Sequence, residues 1–290
     1  MTARLLDGVP IAEEILAGVR RDAAALTAAG RPPRLAALLI GHAASSEVYI
    51  RNQKKACEES GIGFELRALE ATASEPEVLA AVRALNVEPG VTGIILHQPF
   101  PPHIDERRVR EALNPARDVE SMTPHNFGRL VMGQFEIAPS TASAALEIAR
   151  REHPDMTGLE VTIVGHSEIV GKPLALLLLQ TPRSSPTVTV CHISTRDLAF
   201  HTRRADLVFV AAGVPGLLQA GMVRPGATVI DIGINRVKGP DGKSRIVGDA
   251  APDVVSVAGA LTPVPGGVGP VTVAVLLRNT VRLAQGPARA

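Results

Sequence analysis

Aromatic residues are scarce in this sequence, which has no Trp, one Tyr and six Phe among 290 residues. Proteins that bind single-stranded nucleic acid stack bases on exposed rings, so this scarcity argues against that class. Charge of one sign is also lacking, because 30 basic and 29 acidic residues leave a formal net charge of +1. A nucleic-acid surface or a polybasic membrane contact needs an excess of Lys and Arg. We therefore expect no nucleic-acid and no membrane partner.

Cysteine and long apolar runs are limited too. The two cysteines, Cys57 and Cys191, form no Cys-x-x-Cys motif, and the histidines show no metal-ligand spacing, so the sequence predicts no metal site. The longest apolar runs, such as Leu174 to Leu179, are too short to span a bilayer. The first residues lack the apolar segment of a signal peptide. We expect a cytoplasmic protein with reduced thiols.

Hydrophobic residues make up 46% of the chain and alternate between strand-like and helix-like segments. This alternation predicts an α/β fold with parallel βα units in two domains. Pro and Gly cluster near residues 120–140, which places the boundary at about residue 138. The predicted strands are 35–40, 63–69, 93–97, 160–164, 187–191, 207–210, 228–232 and 254–257. The predicted helices are 10–29, 45–60, 75–86, 140–151, 174–180 and 271–284.

One stretch, residues 262–272, reads Thr-Pro-Val-Pro-Gly-Gly-Val-Gly-Pro-Val-Thr. Its prolines and glycines predict a tight loop with special backbone angles between strand 254–257 and helix 271–284. A surface linker would normally carry charge, so this neutral loop suggests that its backbone closely approaches another group. A rigid turn between domains is the alternative.

A second glycine-bearing stretch, Gly165-His-Ser-Glu-Ile-Val-Gly-Lys-Pro173, lies between a strand and a helix. A strand, a glycine turn and a helix N-terminus together form an anion site. The glycines are spaced too widely for Gly-x-Gly-x-x-Gly, and Pro173 after Lys172 rules out a Walker loop. The next strand ends at Cys191-His192 instead of an acidic residue, so His166, His192 and Arg196 favour a 2′-phosphate. NADP is the expected cofactor, with NAD still open.

The sequence resembles the bifunctional methylenetetrahydrofolate dehydrogenase/cyclohydrolase family nearly end to end. The matching motifs are Ser46-Glu-Val-Tyr49, Lys55-Ala-Cys-Glu-Glu59, His125-Asn-Phe-Gly-Arg-Leu130, the glycine turn at 165–173, Asp231-Ile-Gly-Ile-Asn235, Val247-Gly-Asp249 and the loop at 262–272.

This resemblance implies two α/β domains with a cleft between them. The folate domain would be residues 1–138, completed by a C-terminal helix within 270–290, and the Rossmann-like NADP-binding domain would be residues 139–269. It also implies a homodimer, hydride transfer from 5,10-methylenetetrahydrofolate to NADP, and hydrolysis of the methenyl product to 10-formyltetrahydrofolate. The implied cofactor-binding residues are Gly165, His166, Ser167, His192, Gly213, Ile234 and Thr272. The implied substrate-binding residues are Tyr49, Glu120, Pro265, Gly266 and Gly267, and the catalytic positions are Tyr49, Gln53, His97 and Glu120.

Three catalytic positions depart from the family's pattern. The lysine, glutamine and aspartate of the family's folate site are Gln53, His97 and Glu120 here. Hydride transfer needs no protein base, whereas ring opening needs a group that moves protons near neutral pH. We therefore predict an active dehydrogenase whose hydrolytic step is weak or moved to His97, since an unperturbed imidazole has a pKa of about 6.5.

The alternative to an active dehydrogenase is a divergent paralogue without folate turnover, which binds a modified one-carbon carrier or acts as a non-catalytic partner. A short-chain dehydrogenase with a Tyr-x-x-x-Lys site is excluded, because the lysine is missing and Tyr49 precedes the glycine turn.

Overall fold

A computed structural model describes residues 2–41, 44–180, 185–239 and 242–286, without the side chains of residues 44–49. These residues group into two compact units. The first unit comprises Glu13–Pro139 and the described residues from Val273 onward, and the second comprises residues up to Ala12 together with Ser140–Thr272. The sequence prediction assigned residues 1–12 to the folate domain, but their short strand pairs within the sheet of the second unit.

The predicted alternation of strands and helices is confirmed. The strands are β1 (Arg4–Leu5), β2 (Arg34–Ile40), β3 (Gly63–Leu69), β4 (Gly93–Leu96), β5 (Glu160–Val164), β6 (Thr187–Cys191), β7 (Leu207–Val210), β8 (Thr228–Asp231), β9 (Asn235–Lys238), β10 (Ser244–Val247) and β11 (Ala260–Leu261). The α-helices are α1 (Gly8–Ala28), α2 (Ala44–Glu59), α3 (Glu75–Val87), α4 (Glu106–Ala112), α5 (Pro124–Val131), α6 (Ser140–Glu152), α7 (Gly171–Leu178), α8 (Leu198–Thr202) and α9 (Val268–Gln285).

The first unit contains a parallel sheet in the order β3-β2-β4. The central strand β2 reads RLAALLI and is almost completely buried, as expected for a strand covered on both faces. Helix α3 packs on this sheet through Val78, Val82 and Leu85. The helix begins as the sequence predicts, because the Ser74 backbone N–H donates to Glu77 Oε2 (2.7 Å) in a capping box.

The second unit contains a parallel sheet in the order β1-β11-β8-β7-β5-β6, and β9 and β10 form a separate antiparallel pair. Strand β5 lies between β6 and β7. The next strand in sequence, β6, is added on one side of β5, and the following strand, β7, is added on the other side. Ligands of doubly wound sheets bind at the carboxyl ends of the strands near such a switch point. This geometry directs attention to the turns that follow β5, β6 and β7.

The last helix lies where the sequence predicts a helix but begins earlier. Helix α9 starts at Val268 instead of Val271, so its first turn lies inside the predicted loop. Pro270 is tolerated there because first-turn N–H groups have no partner within the helix. From Val273 onward this helix belongs to the first unit, where Asn279 Nδ2 donates to the carbonyls of Val119 and Ala138, each at 3.1 Å.

The strand predicted at 254–257 is wrong. Residues Pro252–Ser256 form a 3₁₀ helix, because Pro252 favours a helical first turn and Val254 points into the core. Within the described part of the chain, no helix is both long and apolar enough to cross a membrane.

Candidate active site

Gln53 and His97 contact each other inside the first unit. Gln53 lies on α2 and is fully buried, and its Oε1 is 3.2 Å from His97 Nε2. Among the described residues, the Nε2 amide nitrogen of Gln53 has no hydrogen-bond partner. Tyr49 is one turn earlier on α2, but its side chain lies outside the described residues. The structure therefore brings together two of the predicted catalytic residues and leaves one buried donor for a ligand.

His97 directly follows β4, and its backbone N–H donates to the Leu38 carbonyl (2.9 Å). Its imidazole is 6% exposed, and burial lowers the pKa of His97 from 6.5 to about 4. The expected role of His97 in hydrolysis depends on the ordinary imidazole pKa, which burial lowers here. A neutral imidazole can bind a ligand, but it holds few protons to donate at neutral pH.

Lys54 does not face the interior beside Gln53. It lies next to Gln53 on α2, yet its side chain is exposed and its Nζ is 3.8 Å from Glu58 Oε1. Adjacent residues on a helix point about 100° apart, so burial of Gln53 directs Lys54 to solvent. Cys57 is buried on the same helix, and its pKa is raised to about 12 by burial, which rules out a thiolate nucleophile.

Glu120 has a pKa that lies near neutrality. Ile94 of β4 pairs in parallel with Asp118, and the chain turns directly afterwards through Glu120. Burial raises the pKa of Glu120 to about 7; the Asp118 charge adds to this and Arg110 opposes it. The Arg110 side chain is 11% exposed and was not identified from the sequence, because nothing in the pattern of α4 marks it as facing a carboxylate.

Ser121 next to Glu120 has a left-handed backbone, with φ of 57°. This conformation favours glycine and strains a serine. The segment is held in place by Asp118, whose Oδ2 accepts from the Thr123 backbone N–H (2.7 Å) and from Asn126 Nδ2 (3.0 Å). Glu120 therefore sits on a firmly bonded turn that includes a strained serine.

The glycine turn after β5 forms a tight backbone cradle in the second unit. Gly165 has φ of 122°, and a Cβ there would lie 2.1 Å from the Ala211 carbonyl oxygen. A Cβ on Gly171 would lie 1.9 Å from the Gly165 carbonyl oxygen. Ser167 Oγ accepts from the Val170 N–H (3.1 Å) just before α7. Both glycines are thus required by close backbone approaches, which fits the predicted dinucleotide-binding turn.

His166 and His192 meet beside this cradle. Their ring centroids are 4.8 Å apart with an interplanar angle of 59°. The contact arises because Val164 and Cys191 are paired in register at the ends of β5 and β6, and the Gly165 N–H donates to the Cys191 carbonyl (2.8 Å). The structure therefore brings together the two histidines that the sequence analysis assigned to cofactor binding.

Gly213 and Ile234 lie on neighbouring loops that a buried aspartate joins. Asp249 Oδ2 accepts from the N–H groups of Ala212 (2.6 Å) and Gly213 (2.8 Å). Asp249 Oδ1 accepts from Asn235 Nδ2 (2.7 Å). Ile234, next to Asn235, is 68% exposed and so available to a ligand. The motif Val247-Gly-Asp249 gives no sign in the sequence that Asp249 connects these loops.

Asp231 at the end of β8 binds backbone N–H groups of the same loops. Its carboxylate accepts from the backbone N–H groups of Gly233 (2.9 Å), Asp249 (3.0 Å) and Ala250 (2.8 Å). Burial raises the pKa of Asp231 to about 6, although these N–H groups lower it. A sequence signal existed, because an aspartate two residues before a glycine at a strand end is typical of a side chain that accepts from nearby backbone N–H groups.

The Pro/Gly loop makes a close contact with the start of α1 inside the second unit. The Gly8 N–H donates to the Gly266 carbonyl (2.9 Å), and a Cβ on Gly8 would lie 1.8 Å from the Gly267 carbonyl oxygen. In the same loop, Gly266 comes directly after Pro265 and has φ of 109°. Thr272 is nearly buried, and its hydroxyl donates to the Val268 carbonyl (3.0 Å). The close backbone approach expected of this loop is thus at least partly to its own chain.

Metal-binding clusters are absent from the described residues, which include no close group of three or more His, Cys, Asp or Glu side chains. The tight glycine cradle, the histidine pair and the exposed Ile234 fit a dinucleotide. The buried Gln53 donor, neutral His97 and protonatable Glu120 fit a polar heterocycle that offers both acceptors and donors.

Family models match both parts of the chain. Residues 139–287 match the NAD(P)-binding domain of tetrahydrofolate dehydrogenase/cyclohydrolase, and residues 6–120 match its catalytic domain. Among curated proteins, the bifunctional protein FolD 2 of Mesorhizobium japonicum is 51% identical over 96% of this chain and 90% of its own. The bifunctional protein FolD of Rhodobacter capsulatus is 46% identical, with coverage of 96% and 92%.

Solved structures agree. The bifunctional FolD enzyme of Campylobacter jejuni is 37% identical with a TM-score of 0.90, covering 98% of this chain and 99% of its own. The Trypanosoma brucei enzyme, solved with NADP cofactor and an inhibitor, is 35% identical with a TM-score of 0.93 and covers 100% of both chains. The predicted fold class and the NAD(P)-binding part are confirmed, and the chain belongs to the tetrahydrofolate dehydrogenase/cyclohydrolase family.

Proposed function

We propose that this protein oxidises 5,10-methylenetetrahydrofolate to 5,10-methenyltetrahydrofolate with NADP, and that it hydrolyses the methenyl product only slowly. Family membership and the intact cofactor cradle support the oxidation. The buried, uncharged pair of Gln53 and His97 supports the weakened hydrolysis, and this pair is the observation that carries the proposal. We propose further that the protein works in the cytoplasm as a homodimer.

Bound NADP would supply the hydride acceptor. The C–H bond of the methylene carbon breaks, its electron pair leaves with the hydrogen, and the substrate is left as a methenyl cation. No proton moves in this step, so the chain's task is to hold and orient the folate. Gln53 Nε2 is a suitable donor for a ring acceptor because it has no partner among the described residues. Glu120, in its ionised form, would accept from paired ring N–H groups.

Hydrolysis places different demands on the same residues. Water adds to the methenyl carbon and must lose a proton, and the ring nitrogen must gain one before its C–N bond breaks. The Gln53 amide exchanges neither proton, and His97, with a pKa of about 4, is a poor proton donor near neutrality. Glu120, with a pKa of about 7, is the better-matched group, so we assign the residual proton transfer to Glu120 instead of His97.

The two steps are separable in one experiment. NADPH formation from methylenetetrahydrofolate reports hydride transfer, and loss of methenyltetrahydrofolate supplied directly reports hydrolysis. We expect turnover in the first assay and a hydrolysis rate lower by about 10² or more than in a family member with the lysine, in line with the worth of general acid–base catalysis. An absence of NADPH formation would sink the proposal. If tetrahydrofolates also failed to bind in calorimetry, the paralogue without folate turnover would replace it.

A further inference from the structure

We propose that the first unit carries a second binding site, for compounds with two or more linked phosphate groups, at the edge of its sheet opposite to His97. A cavity of about 670 Å³ opens there. Strands β2, β3 and β4 are parallel and all begin at this edge, whereas His97 directly follows the end of β4. The seven residues of β2 separate the two edges by roughly 20 Å, at about 3.3 Å per residue. Among the described residues that line this cavity, none belongs to the proposed folate or cofactor residues.

The wall of the cavity is positively charged. The described residues that line it include three arginines and no Asp or Glu. Arg31 follows the end of α1, Arg34 begins β2, and Arg117 ends the 3₁₀ helix Pro115–Arg117. Positive charge in a concave site with low-dielectric walls focuses the field and attracts anions. The charge of the wall therefore suits an anionic ligand.

Two glutamates near these arginines are already matched by cations. Glu65 and Glu88 each contact both Arg34 and Arg67, and the Glu88 carboxylate oxygens are 3.1 Å from Arg34 Nη2 and 3.0 Å from Arg67 Nη2. Two arginines and two glutamates leave this network without net charge. Among the described residues, the other two arginines of the cavity wall form no ion pair. Their positive charges therefore remain in excess.

Arg117 is fixed with one edge of its guanidinium open. Its Nη1 donates to the carbonyls of Leu85 and Glu88, each at 2.8 Å, at the end of α3. These bonds hold the group in one orientation, while its Nε and Nη2 atoms have no partner among the described residues. Two parallel N–H groups on one edge of an arginine match two oxygens of a phosphate. Arg117 is thus ordered for a bidentate contact before a ligand arrives.

The other two arginines of the wall stand on a stiff loop. Two prolines separate Arg31 from Arg34 and restrict the backbone between them. Thr92 Oγ1 accepts from the Arg34 N–H and donates to the Arg34 carbonyl, each at 2.9 Å. Arg34 Nη1 is 4.0 Å from the place of a Cβ on Gly90, which also lines the cavity. The backbone positions of these cations are therefore preset, which lowers the entropy cost of binding.

The size and lining of the cavity indicate the class of ligand. Small-molecule sites have volumes of about 300–1,000 Å³, and a single phosphate would fill little of such a space. Cations on separate parts of the wall favour a ligand with more than one phosphate group. Val91, Leu283 and Ala284 add apolar surface for the organic part of a nucleotide or another phosphate ester.

Calorimetric titration of the full chain tests this site, with NADP⁺ in excess to keep the probes from the glycine turn after β5. The probes are orthophosphate, tripolyphosphate and ATP at constant ionic strength. We expect tripolyphosphate to bind at least about tenfold more tightly than orthophosphate, since one further charge-assisted contact is worth about that factor. Tighter binding of ATP than of tripolyphosphate would identify a nucleotide as the ligand, and weaker binding would identify an inorganic polyphosphate. Equal affinity for orthophosphate and tripolyphosphate would overturn the proposal.

Variants locate the binding in the cavity. Arg31→Gln removes an exposed cation whose side chain has no partner among the described residues, so the fold should persist and tripolyphosphate should bind about tenfold more weakly. Ala284→Phe narrows the cavity without a change of charge and should also weaken binding. Arg83→Gln, on the exposed face of α3, is the matched control and should bind as the wild type does.

Thermal unfolding without phosphate shows which variants are folded. The proposal fails if tripolyphosphate binds Arg31→Gln or folded Ala284→Phe as tightly as the wild type, or if Arg83→Gln weakens binding as much as Arg31→Gln does. None of these titrations involves folate, so their failure is distinct from failure of the proposed reaction.

Discussion

The Oε1 atom of Gln53 lies 3.2 Å from Nε2 of His97, and both side chains are buried and uncharged at neutral pH. A lysine at position 53 would put an ammonium group beside that imidazole. Burial favours the neutral amine, so part of such a lysine would be able to accept a proton. The contact therefore shows where a proton-transfer group could be restored by a single substitution.

Gln53→Lys should raise the rate of methenyltetrahydrofolate hydrolysis by about 10²-fold, the usual lower worth of a positioned acid–base group. Hydride transfer should change far less, because it involves no proton. Parallel assays of the two reactions measure both effects. Gln53→Met is the matched control, since it has similar size without an ionisable group and should give no gain. A folded Gln53→Lys protein that hydrolyses no faster than the wild type would show that residue 53 does not limit this step.

Glu120 should control the pH dependence of the residual hydrolysis. Because its pKa is about 7, the hydrolysis rate at saturating substrate should show an inflection near that pH. Glu120→Gln should remove the inflection and slow hydrolysis by about 10²-fold or more. Glu120→Asp is the control, since it keeps a carboxylate. A wild-type profile that is flat between about pH 6 and about pH 8 would contradict the assignment.

His97 should make the protein less stable as the pH falls. Its folded-state pKa of about 4 is below the ordinary 6.5, so the unfolded chain binds the proton first. The free energy of unfolding is unaffected by His97 above about pH 6.5 and decreases by up to about 3 kcal/mol as the pH falls toward 4. Glu120 and Asp231, whose pKa values are raised, act in the opposite direction, so the whole-protein pH dependence mixes these effects.

The contribution of His97 is isolated by comparison with His97→Asn. Relative to the wild type, this variant should gain stability steadily as the pH falls from about 6.5 to about 4.5, measured by urea unfolding. A stability difference that does not change with pH would show that His97 titrates normally.

Much of this arrangement was predictable from sequence, and the exceptions have physical causes. Strand β2 and the glycine turn were found because a buried parallel strand needs a continuous apolar run and a cradle needs glycine. The pKa of His97 was not predictable, since burial depends on residues distant in sequence. Arg110 and Asp249 were missed for the same reason, because a charged side chain facing a carboxylate or a loop leaves no local pattern. The early start of α9 was missed because Pro270 tolerates the first helical turn, although proline usually marks a loop.

Two glycines in α1 should respond in opposite ways to alanine. Gly8→Ala places a methyl group 1.8 Å from the Gly267 carbonyl oxygen, so we expect a loss of at least about 3 kcal/mol or failure to fold. Gly18→Ala meets only the flexible Arg21 side chain at 3.9 Å and should stabilise the helix by up to about 1 kcal/mol. Thermal unfolding of both variants provides the measurement. A well-tolerated Gly8→Ala would refute the close approach of the Pro/Gly loop.

Ser121 offers a second stability test. Its φ of 57° lies in the left-handed region, so Ser121→Gly should stabilise the protein by about 1 kcal/mol. Asp197 is the comparison residue, with φ of 51°, but its carboxylate also caps α8. Asp197→Gly relieves the same strain and loses the cap, so it should give no net gain. Chemical denaturation distinguishes the two. Equal gains in both variants would mean that the cap contributes nothing.

The hydrogen bonds from Asn279 to Val119 and Ala138 have a consequence for biosynthesis. The segment that carries Glu120 is held by Asn279 of α9. Strand β1 pairs with β11 (Ala260–Leu261), which follows it by more than 250 residues in the sequence. A nascent chain leaving the ribosome therefore cannot complete the second unit before β11 has been translated, nor the first unit before α9 has been translated. A prematurely terminated product would lack the Asn279 hydrogen bonds that hold the Glu120 segment. Its unpaired strand edges and exposed apolar surface would make it a target of chaperones and proteases.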